Sequence, residues 1–300
     1  MNKNPFSIYD FLGYLFPGLV AFMLFMHCMS TTFPMNIGVY FRYKDNIGAY
    51  FGQKDENWWE STILIVLISY ILGHIIAYLS SSMVEYFANR TYGYPSHYLL
   101  HDDNLTYKDI RKRYWSKNKL GVKLWRLFVF IILIPVSFTM SATTPLIRFV
   151  VRPLDEYVRN GIVKKLCKLS EKLGIEDTDV NSEADYHRIV MHYAYLNIEN
   201  VQRKADNYIA IYGFLRAMTL IACVFFDYVF ISEICYTGKV LLKYGCGNCF
   251  FDTKAITILI TIFILCNVLY MAFIKFYRRF TLENYMAVLT EKCNLDCANI

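Results

Sequence analysis

The feature that most restricts this chain is the length of its apolar runs. Ile8–Met29, Thr62–Val84, Ala217–Tyr236 and Ala255–Ile274 are each almost purely apolar. At 1.5 Å per residue, about twenty helical residues cover the roughly 30 Å of a bilayer's hydrocarbon. Inside lipid the backbone must satisfy its own hydrogen bonds, so such runs are read as helices. A fifth run, "LWRLFVFIILIPVSFTM" over Leu124–Met140, is shorter and has Pro135 within it and Pro145 beyond. Composition agrees: 56% of residues are hydrophobic and 19% are charged, against about 25% charged in a soluble domain. The expected fold class is therefore all-α, a multi-pass membrane protein.

Basic residues decide how many runs cross, because positive loops stay on the inner side. Residues 85–123 carry eight Lys/Arg and 148–207 carry ten. If 124–147 turns back as a re-entrant or interfacial segment, all of 85–207 lies on one side with nineteen. Loops 30–61 and 237–253 then hold only three and two. This predicts four transmembrane helices with both termini cytoplasmic and a helical cytoplasmic insert between spans 2 and 3. The organisation expected is a hairpin over 1–84, an insert over 85–207 and a second hairpin with a C-terminal tail over 208–300. The first run has no strong basic leader and reads as a retained span rather than a cleaved signal. The net charge of +6 flanks apolar runs, which points to a bilayer with an anionic inner leaflet and disfavours nucleic acid.

Within the insert, "RPLDEYVRNGIVKKLCKLSEKLGI" gives an amphipathic helix ending at Gly174. Its basic side suits the inner leaflet, and an ordinary surface helix gives the same pattern. From Ser182 the sequence predicts one continuous stalk helix over 182–212. Met191, Ala194, Ile198, Val201, Ala205 and Tyr208 form a seam at spacings of three and four, suited to a homo-oligomeric coiled coil or to the chain's own insert.

Several residues could carry function. Asp227 at the centre of its span costs several kcal/mol unless something holds it. His74, at similar depth in the second span, is one partner. Ser69, Tyr70 or Asn267 bonded to a protonated Asp227 would be another. Gly13, Pro17 and Gly18 form a possible hinge or close helix contact. Lys108, Arg111, Lys112, Arg113, Lys117 and Lys119 could bind lipid headgroups or a phosphate-bearing, nucleotide-like ligand. His97 and His101 lack a firm third ligand, and the pairs Cys246/Cys249 and Cys293/Cys297 fall on opposite faces, so no metal is expected. Nucleotide-binding, zinc-protease and serine-hydrolase motifs are missing; no cofactor or catalytic residue is expected and the chain is not read as an enzyme.

The stretch "FSIYDFLGYLFPG", followed by a second span, a helical insert and two further spans, resembles uncharacterised small multi-pass bacterial membrane proteins. Some of these are encoded in phage-defence loci, and "DFLGYLFPG" is the shared motif. The resemblance implies a bacterial inner-membrane effector in antiviral defence, sensing a signal or protein partner on its cytoplasmic part. Two other classes fit the same spans: a scaffold anchoring a soluble partner, and a membrane enzyme or transporter subunit.

Overall fold

The computed structural model describes residues 10–30, 58–100, 112, 114–115, 119–137, 151–174, 186–198, 201–244 and 253–290. These residues form helices, with no strand among them. In chain order the helices are α1 (Phe16–Ser30), α2 (Trp58–Ser80), α3 (Tyr86–Tyr92), α4 (Pro95–Leu100), α5 (Leu120–Ile132), α6 (Glu156–Lys172), α7 (Tyr186–Asn197), α8 (Val201–Tyr244) and α9 (Thr253–Thr290). Four stretches are long and apolar enough to cross a membrane: Phe11–Cys28, Thr62–Leu100, Val201–Gly238 and Ala255–Thr290. The all-α, multi-pass membrane class expected from the sequence is what the structure has.

Two π turns interrupt the first two spans. Pro17 has no N–H to donate, and just before it Phe11–Leu15 widens so that the Phe16 N–H bonds the Phe11 carbonyl. Ser81–Glu85 forms the second, closed by the Tyr86 N–H on the carbonyls of Ser81 and Met83. Such insertions concentrate at functional positions.

The spans pair as two hairpins. Between α1 and α2 the backbones nearly touch. A Cβ on Gly18 would collide with the Ser69 carbonyl, and one on Gly73 with the Tyr14 carbonyl. Residues 14 and 18 face 69 and 73, one helical turn apart on each strand of the crossing, the close approach that small residues permit in membranes. The larger interface, α8 on α9, is built from side chains instead: Phe226 on Phe263, and Tyr212 on Phe273, Tyr277 and Phe280. Outward faces remain apolar, with Ile63, Leu67, Ile71 and Ile75 exposed on α2 and Ile256, Ile260, Ile264 and Val268 on α9. Lipid is the solvent such a surface needs.

The third apolar run is broken. α5 stops at Leu133, φ −100° and ψ 27°, two residues before Pro135, and one further turn follows. Its tip meets α9: the Asn267 amide donates to the Pro135 carbonyl at 3.3 Å. Asn267 lies roughly 10 Å along the helix from Ile274, where the apolar run ends. Both flanks of this segment lie toward that same end, where Arg126 bonds Tyr86 and the Arg278 guanidinium bonds the Arg152 carbonyl at 2.8 Å. Of the expected segment 124–147, residues 138–147 lie outside the described residues.

One expectation for the insert needs correction, and two left open are narrowed. The stalk is not one helix among the described residues: α7 ends at Asn197, whose side-chain amide donates to the Tyr193 carbonyl, and α8 begins at Val201. Of its seam, Ala194 and Ala205 are buried, Ile198 and Val201 pack partly buried on the chain's own core, as one of the two readings of the seam expected, and Met191 and Tyr208 are half-buried. Likewise the apolar stripe of α6, Ile162, Leu166 and Leu169, faces that core and not a leaflet. Gly174, at φ +68°, ends this helix as expected, in a conformation that favours glycine.

Candidate functional site

A densely bonded polar group near a span end is gathered on the second π turn. Glu85 closes that turn, and its carboxylate pairs with Arg216 of α8. The two side chains retain only 14% and 21% of their exposure for Arg216 and Glu85 respectively. The guanidinium spreads its remaining donors over α2, with Nε on the Ser80 hydroxyl at 3.2 Å and Nη2 on the Ala77 carbonyl at 3.4 Å. Ser81 donates to the same carboxylate oxygen at 3.3 Å, and the Tyr212 ring lies 6.0 Å beneath the guanidinium carbon. Arginine suits this place because its planar fork serves several acceptors at once.

The next residue ties the turn to a different element. Tyr86 accepts from Arg126 Nε at 3.3 Å. Arg126 is almost fully buried in α5 and also donates to the Tyr114 carbonyl at 2.8 Å, while the Tyr114 hydroxyl returns a bond to the Arg126 carbonyl at 2.7 Å. Burial, reinforced by nearby Tyr86 and opposed by Arg126, holds the Tyr114 phenol protonated well above the usual tyrosine range. The widened turn and the residue directly after it are thus held by two arginines from two helices. Removing one member of a largely buried pair strands the other charge, at a cost of about 3 kcal/mol.

The anticipated intramembrane pair is not formed. His74 stacks on Tyr14 with ring centroids 3.9 Å apart and meets Tyr70 edge-on at 4.6 Å. It is committed to the α1–α2 hairpin. Asp227 sits on α8, and its Oδ1 is buried with no hydrogen-bond partner. Nor do the alternative partners reach it. Asn267 donates to Pro135 and Phe263, Tyr70 packs on His74, and the buried Ser69 hydroxyl makes no hydrogen bond. Near Asp227, Cys223 meets Cys266 across the α8–α9 interface, both thiols fully buried.

Gly18 of the hinge trio makes the close contact with α2, whereas Gly13 has open space where a Cβ would stand. Pro17 lies within α1, two residues after the end of the first π turn. Of the phosphate or headgroup set, Lys112 and Lys119 are exposed, and Lys108, Arg111, Arg113 and Lys117 lie outside the described residues. Among the described residues no group of three or more His, Cys, Asp or Glu side chains is placed to hold a metal ion.

Sequence reasoning gives Glu85 and Tyr86 no role, and takes Arg216 only as a span-end charge and Arg126 only as one of the basic residues at the start of the third apolar run. A signal was present. Glu85 follows the second apolar run and Arg216 precedes the next full one, so opposite charges stand at matching ends of two spans. Arg126 lies inside an apolar run, where an unpaired guanidinium is costly. The chain matches no family model, no curated protein and no solved structure.

Proposed function

We propose that this chain is an oligomeric membrane effector or channel-like protein, set by a ligand or protein partner on its 85–207 insert. The setting proposed is a bacterial inner membrane with both termini cytoplasmic and, following the resemblance of "DFLGYLFPG", antiviral defence. One observation carries the reading: the π turn at 81–85 is bonded to span α8 through Glu85 and Arg216, and Tyr86, the residue directly after it, is bonded to α5 of the insert through Arg126. A displacement of α5 therefore acts on the same turn that fixes α8. Asp227 supports the same reading, because a half-buried midplane carboxylate whose buried Oδ1 meets no donor among the described residues is costly in lipid, and intramembrane carboxylates of this kind line polar paths or pair.

The test is ion flux from liposomes containing the purified full chain, beside growth on expression. Arg216→Gln and Glu85→Gln loosen the joint without requiring the natural ligand, and are expected to change flux at least several-fold. Asp227→Asn is expected to lower it. Flux indistinguishable from empty liposomes for every variant, with no effect on growth, would defeat the channel-like reading. A non-catalytic scaffold would then lead. One observation favours it: Ala194 and Ile198 of the seam pack on the chain's own core rather than standing clear of it.

A further inference from the structure

At the end of the bundle that carries Arg278, three guanidinium groups come together with little to offset them. Arg278 donates through Nε and Nη2 to the Arg152 carbonyl, at 3.2 and 2.8 Å. That backbone is fixed again two residues on, where the Leu154 N–H bonds the Leu99 carbonyl at 3.1 Å. Arg152 and Arg279 both lie close enough to repel the Arg278 charge. Asp155 reaches Arg152 only at 4.0 Å and is 84% exposed. Arg279 is exposed and makes no ion pair among the described residues, and Lys275 stands one turn before it. The Tyr98 hydroxyl, on a side chain only 4% exposed, lies in the field of Arg278 and has no hydrogen-bond partner. One held guanidinium, Arg278, with two exposed ones beside it and a buried hydroxyl that bonds nothing among the described residues, describes a site short of its anion.

Depth narrows the choice of anion. The apolar run of α9 ends at Ile274, so Lys275, Arg278 and Arg279 stand at the level where a bilayer's phosphates begin. Tyr157 and Tyr94 are exposed on the neighbouring elements, at 91% and 60%, as aromatic residues are at a membrane–water boundary. Guanidinium groups hold phosphate oxygens through paired charge-assisted bonds. We propose that Arg152, Arg278 and Arg279, with the Tyr98 hydroxyl, form a specific binding site for a phosphate monoester or diester, with an anionic lipid headgroup as its first source. The site stands whether the chain is an effector or a scaffold.

The test uses the full chain purified in a neutral detergent. The probes are short-chain phosphatidylglycerol, short-chain phosphatidylcholine and inorganic phosphate, followed by native mass spectrometry and unfolding temperature. Arg152→Gln and Arg279→Gln change exposed side chains and keep the Arg152 carbonyl that Arg278 uses. A control of equal charge loss is Lys164→Gln with Lys172→Gln, on exposed positions of α6. Phosphatidylglycerol is expected to bind in preference to phosphatidylcholine and to raise the unfolding temperature. Each arginine removed is expected to weaken it about fivefold, with the control pair nearly silent. Competition by millimolar phosphate would assign the site to a soluble phosphate compound rather than a lipid. Equal binding of the two lipids with no response to phosphate would overturn the proposal. So would an equal loss in the lysine control, which would mean a diffuse positive surface.

Discussion

The two hairpins are held by opposite means. In the first, α1 and α2 meet backbone to backbone at Gly18 and Gly73, and a small apolar cluster of Ile76, Ala217 and Ile221 fills the space between them and α8. In the second, α8 and α9 are joined by a ladder of aromatic rings running from Phe226 to Phe280. A backbone contact cannot adapt, because the atoms in the way belong to a helix. A ring contact can, because neighbouring side chains shift into part of a lost volume. The first hairpin should therefore be intolerant at two positions and permissive elsewhere, and the second should lose stability gradually over many.

Gly73→Ala is the change expected to do most, since its new methyl would overlap the Tyr14 carbonyl. Separation of α1 from α2 should cost more than about 4 kcal/mol, in the range reserved for severe lesions. Thermal unfolding in detergent would read it, and an unchanged midpoint would show that the hairpins do not differ as described. Phe273→Ala, at a fully buried ring in the second hairpin, should cost about 3–5 kcal/mol while leaving the chain folded. Arg216→Gln ranks next at about 3 kcal/mol, and the same measurement checks it.

Two smaller effects sharpen the contrast. Gly213 lies within α8, and a Cβ there would meet nothing within 4 Å. Gly213→Ala should thus stabilise by up to about 1 kcal/mol through helix propensity alone, the reverse of Gly73→Ala. The smallest effect concerns pH. Tyr114 has its pKa raised by burial, above an unfolded value of about 10. Its contribution is fully present below pH 10 and is lost only as pH rises further. Raising the pH from about 7 to 9 should leave the Tyr114–Arg126 contact intact, as the Tyr114 absorbance near 295 nm in a single-tyrosine comparison with Tyr114→Phe would show.

How much of this was legible depends on the kind of signal. The spans were, because hydropathy over a window of about nineteen residues is a bulk property that no single partner determines. Pro17 and Gly18 announced a break and a close contact. Gly73 did not, since its role depends on a carbonyl on another helix. Periodicity marked the seam through Ala194, Val201 and Ala205 but says only that a face is buried, not against what. The covering surface proved to be the chain's own core. Asp227 drew notice as an isolated charge, whereas Glu85 and Arg216 looked like ordinary span ends. Their importance comes from the π turn between them, and the only trace of that turn in the sequence is the serine triplet Ser80–Ser82, whose hydroxyls bond Ala77, Glu85 and Leu79.

The central claim is that the turn at 81–85 joins α5 to α8, and a double-mutant cycle between Tyr86→Phe and Arg216→Gln tests it most directly. Neither change removes a contact that the other makes. Tyr86 serves Arg126, and Arg216 serves Glu85, Ser80 and Ala77. If the turn transmits between them, the two losses of stability will fail to add by more than about 0.5 kcal/mol, the size expected of coupled sites. Additivity within about 0.3 kcal/mol would mean that the two arginines hold independent ends of the same helix, and the joint would not exist.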